Sequence, residues 1–170
     1  MAETISTINR TGETYGTLTL WEDAKDGDIT AGNAEVAECY DDDGALVDNL
    51  IILGWTTDSD SYIKVYTPTA ERHNGTAALG FILAPSSGTP IKISDGEYVY
   101  ILGLILKANF GTGNFGTTLF INTSGFNVWI GYNVIYNGNM GTGNSPSGIN
   151  VQANGNLKVY NNIVYDYNET

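Results

Sequence analysis

Three stretches of the chain carry one apolar pattern at a constant interval: Val99-Tyr-Ile101-Leu-Gly-Leu-Ile105-Leu106, Val128-Trp-Ile130-Gly-Tyr-Asn-Val134-Ile135 and Leu157-Lys-Val159-Tyr-Asn-Asn-Ile163-Val164, each 29 residues after the last. A second short alternating run precedes each copy, Ile91-Lys-Ile93, then Leu119-Phe-Ile121, then Ile149-Asn-Val151, with one extra residue absorbed in the middle. The connector Asn109-Phe-Gly-Thr-Gly-Asn114 returns 30 residues on as Asn139-Met-Gly-Thr-Gly-Asn144, identical at five of six positions. Strands of a sandwich have no reason to share such a register. Coils stacked on one another at the roughly 4.8 Å strand spacing do. The predicted fold is therefore all-β: a right-handed parallel β-helix of about 29 residues per coil, its hand taken from the usual rule for parallel crossovers, with a short N-terminal capping helix.

Stacked coils turn the repeat into columns. Val99, Val128 and Leu157 are expected to stack inside, as are Ile101, Ile130 and Val159, and then Ile105, Val134 and Ile163. Asn162 falls above Asn133 at a bend, where an Asn side chain satisfies turn backbone and tolerates left-handed geometry. Alternation along the strand sends Tyr100, Trp129 and Lys158 outward in one column and Leu102, Gly131 and Tyr160 in the next.

The N-terminal part is less regular. Thr19-Leu-Trp-Glu22 matches a capping box, and Leu18, Trp21 and Ala24 recur at helical spacing before Gly27, which predicts one amphipathic helix over about residues 17–26. Glu35 to Tyr40, Asn49 to Leu53 and Tyr62 to Tyr66 read as strands between turn-forming clusters. One domain is expected over residues 1–170: a cap over 1–30, irregular first coils over 31–90 and regular coils over 91–170, the last expected to be open or truncated because no closing element follows Tyr165. The lone Cys39 forms no intrachain disulfide and reads as a small core residue. No apolar run reaches the roughly 20 residues of a membrane span, and no removable signal is expected from the polar opening Met1 to Arg10.

Charge narrows the partners. The chain holds 19 acids against 7 bases, and residues up to Arg72 carry −11 of the net −12. That balance disfavours nucleic acid, which is held by clustered Lys and Arg. Asp41-Asp-Asp-Gly44 with Asp48 lacks the spacing of a calcium loop and reads as a solvated acidic turn. His73, the only histidine, has no second soft ligand near it. Neither a metal nor another cofactor is expected.

The segments Thr14-Tyr-Gly-Thr-Leu-Thr-Leu-Trp-Glu-Asp-Ala24, Glu35-Val-Ala-Glu-Cys-Tyr40, Gly54-Trp-Thr-Thr57 and Tyr62-Ile-Lys-Val-Tyr-Thr-Pro68 resemble the cap and first coils of right-handed β-helix, pectate-lyase-like proteins. Such proteins are met in environmental bacteria and in bacteriophage structural gene sets. The resemblance implies a β-helix and leaves the activity open, since the superfamily includes lyases, hydrolases, tail-spike depolymerases and non-catalytic virion proteins. Where pectate lyases often read Trp-Ile-Asp-His, this chain reads Trp129-Ile-Gly-Tyr132, and no acid lies between Glu97 and Asp166. A catalytic centre would have to be sought around Asp58, Asp60, Glu71, Arg72 and His73, which read as a solvated turn with a sequence-local ion pair.

No residue is therefore assigned to catalysis. The expected function is a non-catalytic structural or binding module on a virion or cell surface that self-associates and contacts glycans; the alternative is a polysaccharide lyase or hydrolase. The expected binding residues are Tyr100, Trp129, Tyr160 and Lys158 on the outward strip, with Asn109, Asn114, Asn139 and Asn144 on the connectors. Flat aromatic surface beside the shallow floor at Gly131 suits a sugar ring or a protein partner.

Overall fold

The computed structural model describes residues 2–9, 11–27, 29, 32–42, 44–110, 116–140 and 146–167. The chain is a parallel β-solenoid of about five turns, with about 29 residues per turn. Its elements are β1 (Ala2–Ile8), α1 (Leu18–Lys25), β2 (Asn33–Cys39), β3 (Leu50–Ile52), β4 (Ile63–Tyr66), a 3-10 turn (Thr69–Glu71), β5 (Ile82–Leu83), β6 (Ile91–Ile93), β7 (Tyr98–Leu102), β8 (Ile105–Phe110), β9 (Thr117–Ile121), β10 (Phe126–Gly131), β11 (Val134–Met140), β12 (Ser147–Val151), β13 (Gly155–Tyr160) and β14 (Ile163–Tyr165). Three sheets line the coil, ordered β1-β2-β4-β7-β10-β13, β14-β11-β8-β5 and β12-β9-β6-β3.

The 29-residue register is met residue for residue. Val99, Val128 and Leu157 are direct partners, as are Ile101, Ile130 and Val159. Ile91, Leu119 and Ile149 form another column, which Leu50 extends into the irregular coils. Ile105, Val134 and Ile163 also stack, but on the opposite side from the one expected. The side chains of that sheet that join the core cluster are Leu83, Leu106 and Ile135, and alternation turns Ile105 and Val134 outward with Lys107 and Tyr136. Both are nonetheless fully buried. A strap, residues 68–80, runs along this side, where Gly75 lies against the side chain of Ile163, which is itself 43% exposed.

The three regular coils bend through a residue with positive φ: Gly103 at 76°, Tyr132 at 58° and Asn161 at 52°. The left-handed position is thus the residue before each Asn of the ladder rather than the Asn itself. Asn133 is fully buried. Its Oδ1 accepts from Leu104 N at 2.9 Å and its Nδ2 donates to Ile101 O at 3.0 Å, while Asn162 Nδ2 donates to Ile130 O at 2.9 Å. The Asn side chains thereby bond backbone groups that the bend leaves without a sheet partner.

The N-terminal region departs further from expectation. Ala2–Ile8, expected only as part of the cap, forms β1, paired in parallel along β2. The helix falls within the expected 17–26, at Leu18–Lys25, but its capping residue is Thr17 rather than Thr19, Thr17 Oγ1 accepting from Leu20 N at 3.1 Å. Thr19 instead gives its N–H and hydroxyl to the two carboxylate oxygens of Asp48, at 2.9 and 2.7 Å. Leu18 and Trp21 are buried as expected, but Ala24 is exposed and Glu22 takes the inward place. Cys39 is a buried free thiol.

Candidate functional site: the outer face of the six-stranded sheet

Register places the expected strip. Tyr100 pairs with Trp129 and Trp129 with Lys158, while Leu102 pairs with Gly131 and Gly131 with Tyr160. The same face continues into coils where no repeat was legible: Lys64 lies beside Tyr100 and Tyr66 beside Leu102, and Glu38 lies beside Tyr66.

In-register rings one strand apart are held near the 4.8 Å strand spacing, which is a stacking distance. Tyr100 and Trp129 accordingly lie face to face, 4.5 Å between centroids and 9° from parallel. Tyr62 sets its edge on Tyr100 at 5.0 Å and 66°, and Tyr98 stacks on Trp129 at 6.4 Å. The Lys158 ammonium stands 5.3 Å from the Trp129 ring centre. The ring faces are thus largely occupied by one another, and the column turns ring edges to solvent. Gly131 does not leave an empty floor either, because a Cβ there would lie 2.5 Å from Tyr160 Cζ. Tyr160 lies over the glycine and meets Tyr132 edge-on at 5.4 Å. What remains open beside Trp129 is a depression of about 470 Å³ lined by Asn127, Trp129, Gly155, Asn156, Leu157 and Lys158, in which Asn156 Nδ2 donates to Asn127 Oδ1 at 3.0 Å.

Two carboxylates that sequence reasoning passed over share this face. Glu3 Oε1 accepts from Tyr62 OH at 2.6 Å and from Lys64 Nζ at 3.0 Å. The Tyr62 bond, with Lys64 assisting against partial burial, holds its carboxyl below the usual range. Burial and the bond to Glu3 in turn push the Tyr62 phenol up to about 12. Glu38 accepts from Tyr40 OH on one oxygen and from Tyr66 OH on the other, and Tyr66 is raised by its own burial and by that bond. Lys64 also stands 4.4 Å from the centre of the Tyr66 ring. Period-2 alternation in Ala2–Ile8 and Ile63–Tyr66 was the available signal, but no repeat set the register between those strands.

The other expected residues scatter. Asn109 donates through Nδ2 to Ser86 O at 2.6 Å, which ties it to a neighbouring loop. Met140 pairs with Phe110, so both connectors leave from one edge of successive coils; Asn139 lies on β11 just before that point. Asn114 and Asn144 lie outside the described residues. Asp58 closes a tight turn with Ser61 and accepts from Asp60 N at 2.8 Å. Arg72 and His73 belong to the strap: Arg72 Nε donates to Thr67 O at 2.9 Å and its guanidinium lies 5.4 Å from the Tyr132 ring centre, while His73 Nε2 meets Tyr132 O at 2.6 Å. The sequence-local cluster therefore does not converge on a cleft. Among the described residues no three His, Cys, Asp or Glu side chains gather as a metal site, and no helix is long and apolar enough to cross a membrane. Comparison with family models, curated proteins and solved structures gave no match.

Proposed function

We propose that the chain is a non-catalytic structural and binding module, a virion or cell-surface component of pectate-lyase-like architecture that associates with copies of itself and contacts glycans along its six-stranded sheet. One observation carries this reading. The polar groups of that face are bonded to each other: Glu3 to Tyr62 and Lys64, Glu38 to Tyr40 and Tyr66. General acid–base work on a glycosidic bond needs carboxyls within reach of substrate, and here both are engaged as acceptors. A lyase or hydrolase remains the alternative to be tested.

The depression beside Trp129 has the make-up of a sugar subsite, an indole edge flanked by two amides and an ammonium. Association is supported by the near-neutral charge after Arg72, which lets copies approach without mutual repulsion. Light scattering across a concentration series, a glycan array, and an assay for unsaturated or reducing ends on acidic polysaccharides with and without calcium test the proposal together. Self-association or glycan retention without sugar release is the expected result. A monomer that binds no glycan, or sugar release, overturns it.

A further inference from the structure

The strand β3 is the outer edge of its sheet. In a parallel pair, alternate residues of one strand direct both backbone groups at the neighbour, and the residues between them direct both groups away. Leu50 N donates to Pro90 O at 2.8 Å and Ile52 O accepts from Ser94 N at 2.9 Å, so Leu50 and Ile52 face β6. Asn49, Ile51 and Leu53 then face the free edge. Helix α1 runs beside that edge and satisfies its two ends. Thr19 Oγ1 lies 2.9 Å from Asn49 O, which shares the single hydroxyl hydrogen with Asp48 Oδ1, and Glu22 Oε1 accepts from Leu53 N at 2.9 Å. These side chains imitate an adjoining strand at both ends and leave the centre vacant: among the described residues, no hydrogen bond reaches the N–H or carbonyl of Ile51 from that side.

The vacant pair opens into a groove of about 390 Å³ lined by Thr19, Glu22, Asp23, Asn49, Ile51 and Leu53. Its floor is apolar, with Ile51 and Leu53 41% and 54% exposed. Its helix wall is acidic, Glu22 and Asp23 being followed by Asp26 one turn on, whereas Lys25, the helix's one base, is turned away to Glu35 at 3.2 Å. An unpaired strand edge is a template for another extended segment, and the wall selects the charge of that segment.

We propose that the edge of β3 receives an extended peptide segment of a partner protein, rich in Lys or Arg and alternating with apolar residues, as an added strand. Its carbonyl accepts from Ile51 N–H and its N–H donates to Ile51 O. Apolar side chains of the segment cover Ile51 and Leu53 while its cations meet Asp23 and Asp26. This surface lies on a different sheet from the aromatic column, so the inference stands or falls independently of the function proposed above.

The test uses the full chain and three synthetic peptides of about seven residues: one alternating Lys and Val, one with Glu in place of Lys, and one with Pro at the residue whose N–H would donate to Ile51 O. Affinity is read by fluorescence anisotropy and the Ile51 amide by NMR hydrogen exchange. The Lys peptide should bind at least about tenfold more tightly than either control and slow Ile51 exchange by a similar factor, the change expected when either charge complementarity or a main-chain bond is lost. Ile51→Pro removes a donor that the fold does not use and is tolerated at an edge; it should abolish the preference. Asp23→Lys, on an exposed helix position, should weaken the Lys peptide and spare the circular dichroism. If Ile51→Pro does not fold, the exchange measurement and Asp23→Lys decide. Equal binding of the three peptides, unchanged Ile51 exchange, or Ile51 protection that grows with protein concentration alone, as a second copy on the edge would give, overturns the proposal.

Discussion

Asn162 Oδ1 accepts two hydrogen bonds from Asn133, one from its backbone N–H and one from its side-chain amide, both at 2.9 Å. Asn133 in turn serves the backbone of the preceding coil at Leu104 and Ile101. Asn133→Ala should therefore strand Leu104 N and Ile101 O on the preceding coil, remove one of the two bonds to Asn162, and cost about 3 kcal/mol or more in urea unfolding. Asn162→Ala, with one Asn neighbour and greater exposure, should cost less. Equal effects of the two substitutions would contradict the ladder as the main source of the difference.

Trp129 is held between Tyr100 and Lys158. Trp129→Ala should cost about 1–2 kcal/mol of stability through the lost stack, alter the near-ultraviolet dichroism and preserve the far-ultraviolet β signal. If the column is also the contact surface, self-association or glycan retention should weaken by about 2 kcal/mol or more. Sedimentation equilibrium and the glycan array separate those two readouts.

Glu22 has an unusual linkage. Burial raises its carboxyl above the ordinary 4.5, against the lowering effect of its bonds to Leu53 N and Trp55 Nε1. A raised folded value favours the protonated form, so this contribution to stability is full below about 4.5 and is lost as pH rises through the folded value. Glu22→Gln keeps one oxygen to accept both bonds and removes the ionisation. It should match wild type in acid and become the more stable protein at neutral pH. Glu22→Ala should be destabilised throughout, because Trp55 Nε1 loses its partner. Denaturant midpoints across pH 4 to 8, a range bracketing the ordinary carboxylate value, check both.

The opposite end of the pH scale reads Tyr62. Its folded value of about 12 against an ordinary 10.0 means that its contribution is complete below about 10 and disappears as pH rises toward 12. Tyr62→Phe should remove that alkaline loss and, by releasing Glu3 from its main hydrogen bond, weaken the protein less in acid than at neutral pH. Thermal scans of both proteins from acid through neutral to alkaline pH check both effects.

Arg72 packs directly on Gly103, whose Cβ position its side chain fills. Arg72→Ala should loosen the strap and speed protease cleavage within residues 72–80, leaving the solenoid core uncut over the same time. Simultaneous cleavage of strap and core would mean that the contact holds the whole fold rather than the strap.

The regular coils were legible because one interval governs them: once Val99, Val128 and Leu157 are aligned, every partner between β7 and β13 follows. The side of the sheet was not always legible. Ile105, Val134 and Ile163 look like core residues by composition, yet alternation from Leu106 and Ile135 turns them outward, where Ile105 and Val134 are still buried and Ile163 is exposed. Aromatic residues were correctly placed on the outer face, but their presentation depends on ring orientation, which strand spacing imposes and side-chain identity does not reveal. Glu3, Glu38 and Lys64 escaped notice because the first coils share no repeat and their register is set by pairing alone. Glu22 was read as a cap when it substitutes for a strand.

Coils that touch only their neighbours would ordinarily fray one after another from an exposed end, each with its own local opening free energy. The strap changes that expectation. It leaves the coil of Tyr66 and makes contact at Gly103, Tyr132 and Ile163, one position on each of three later coils. Peeling away the strand that holds Ile163 therefore also disturbs an element anchored near Tyr66. Rungs that would melt singly are tied into one cooperative unit, much as a batten makes separate slats bend together.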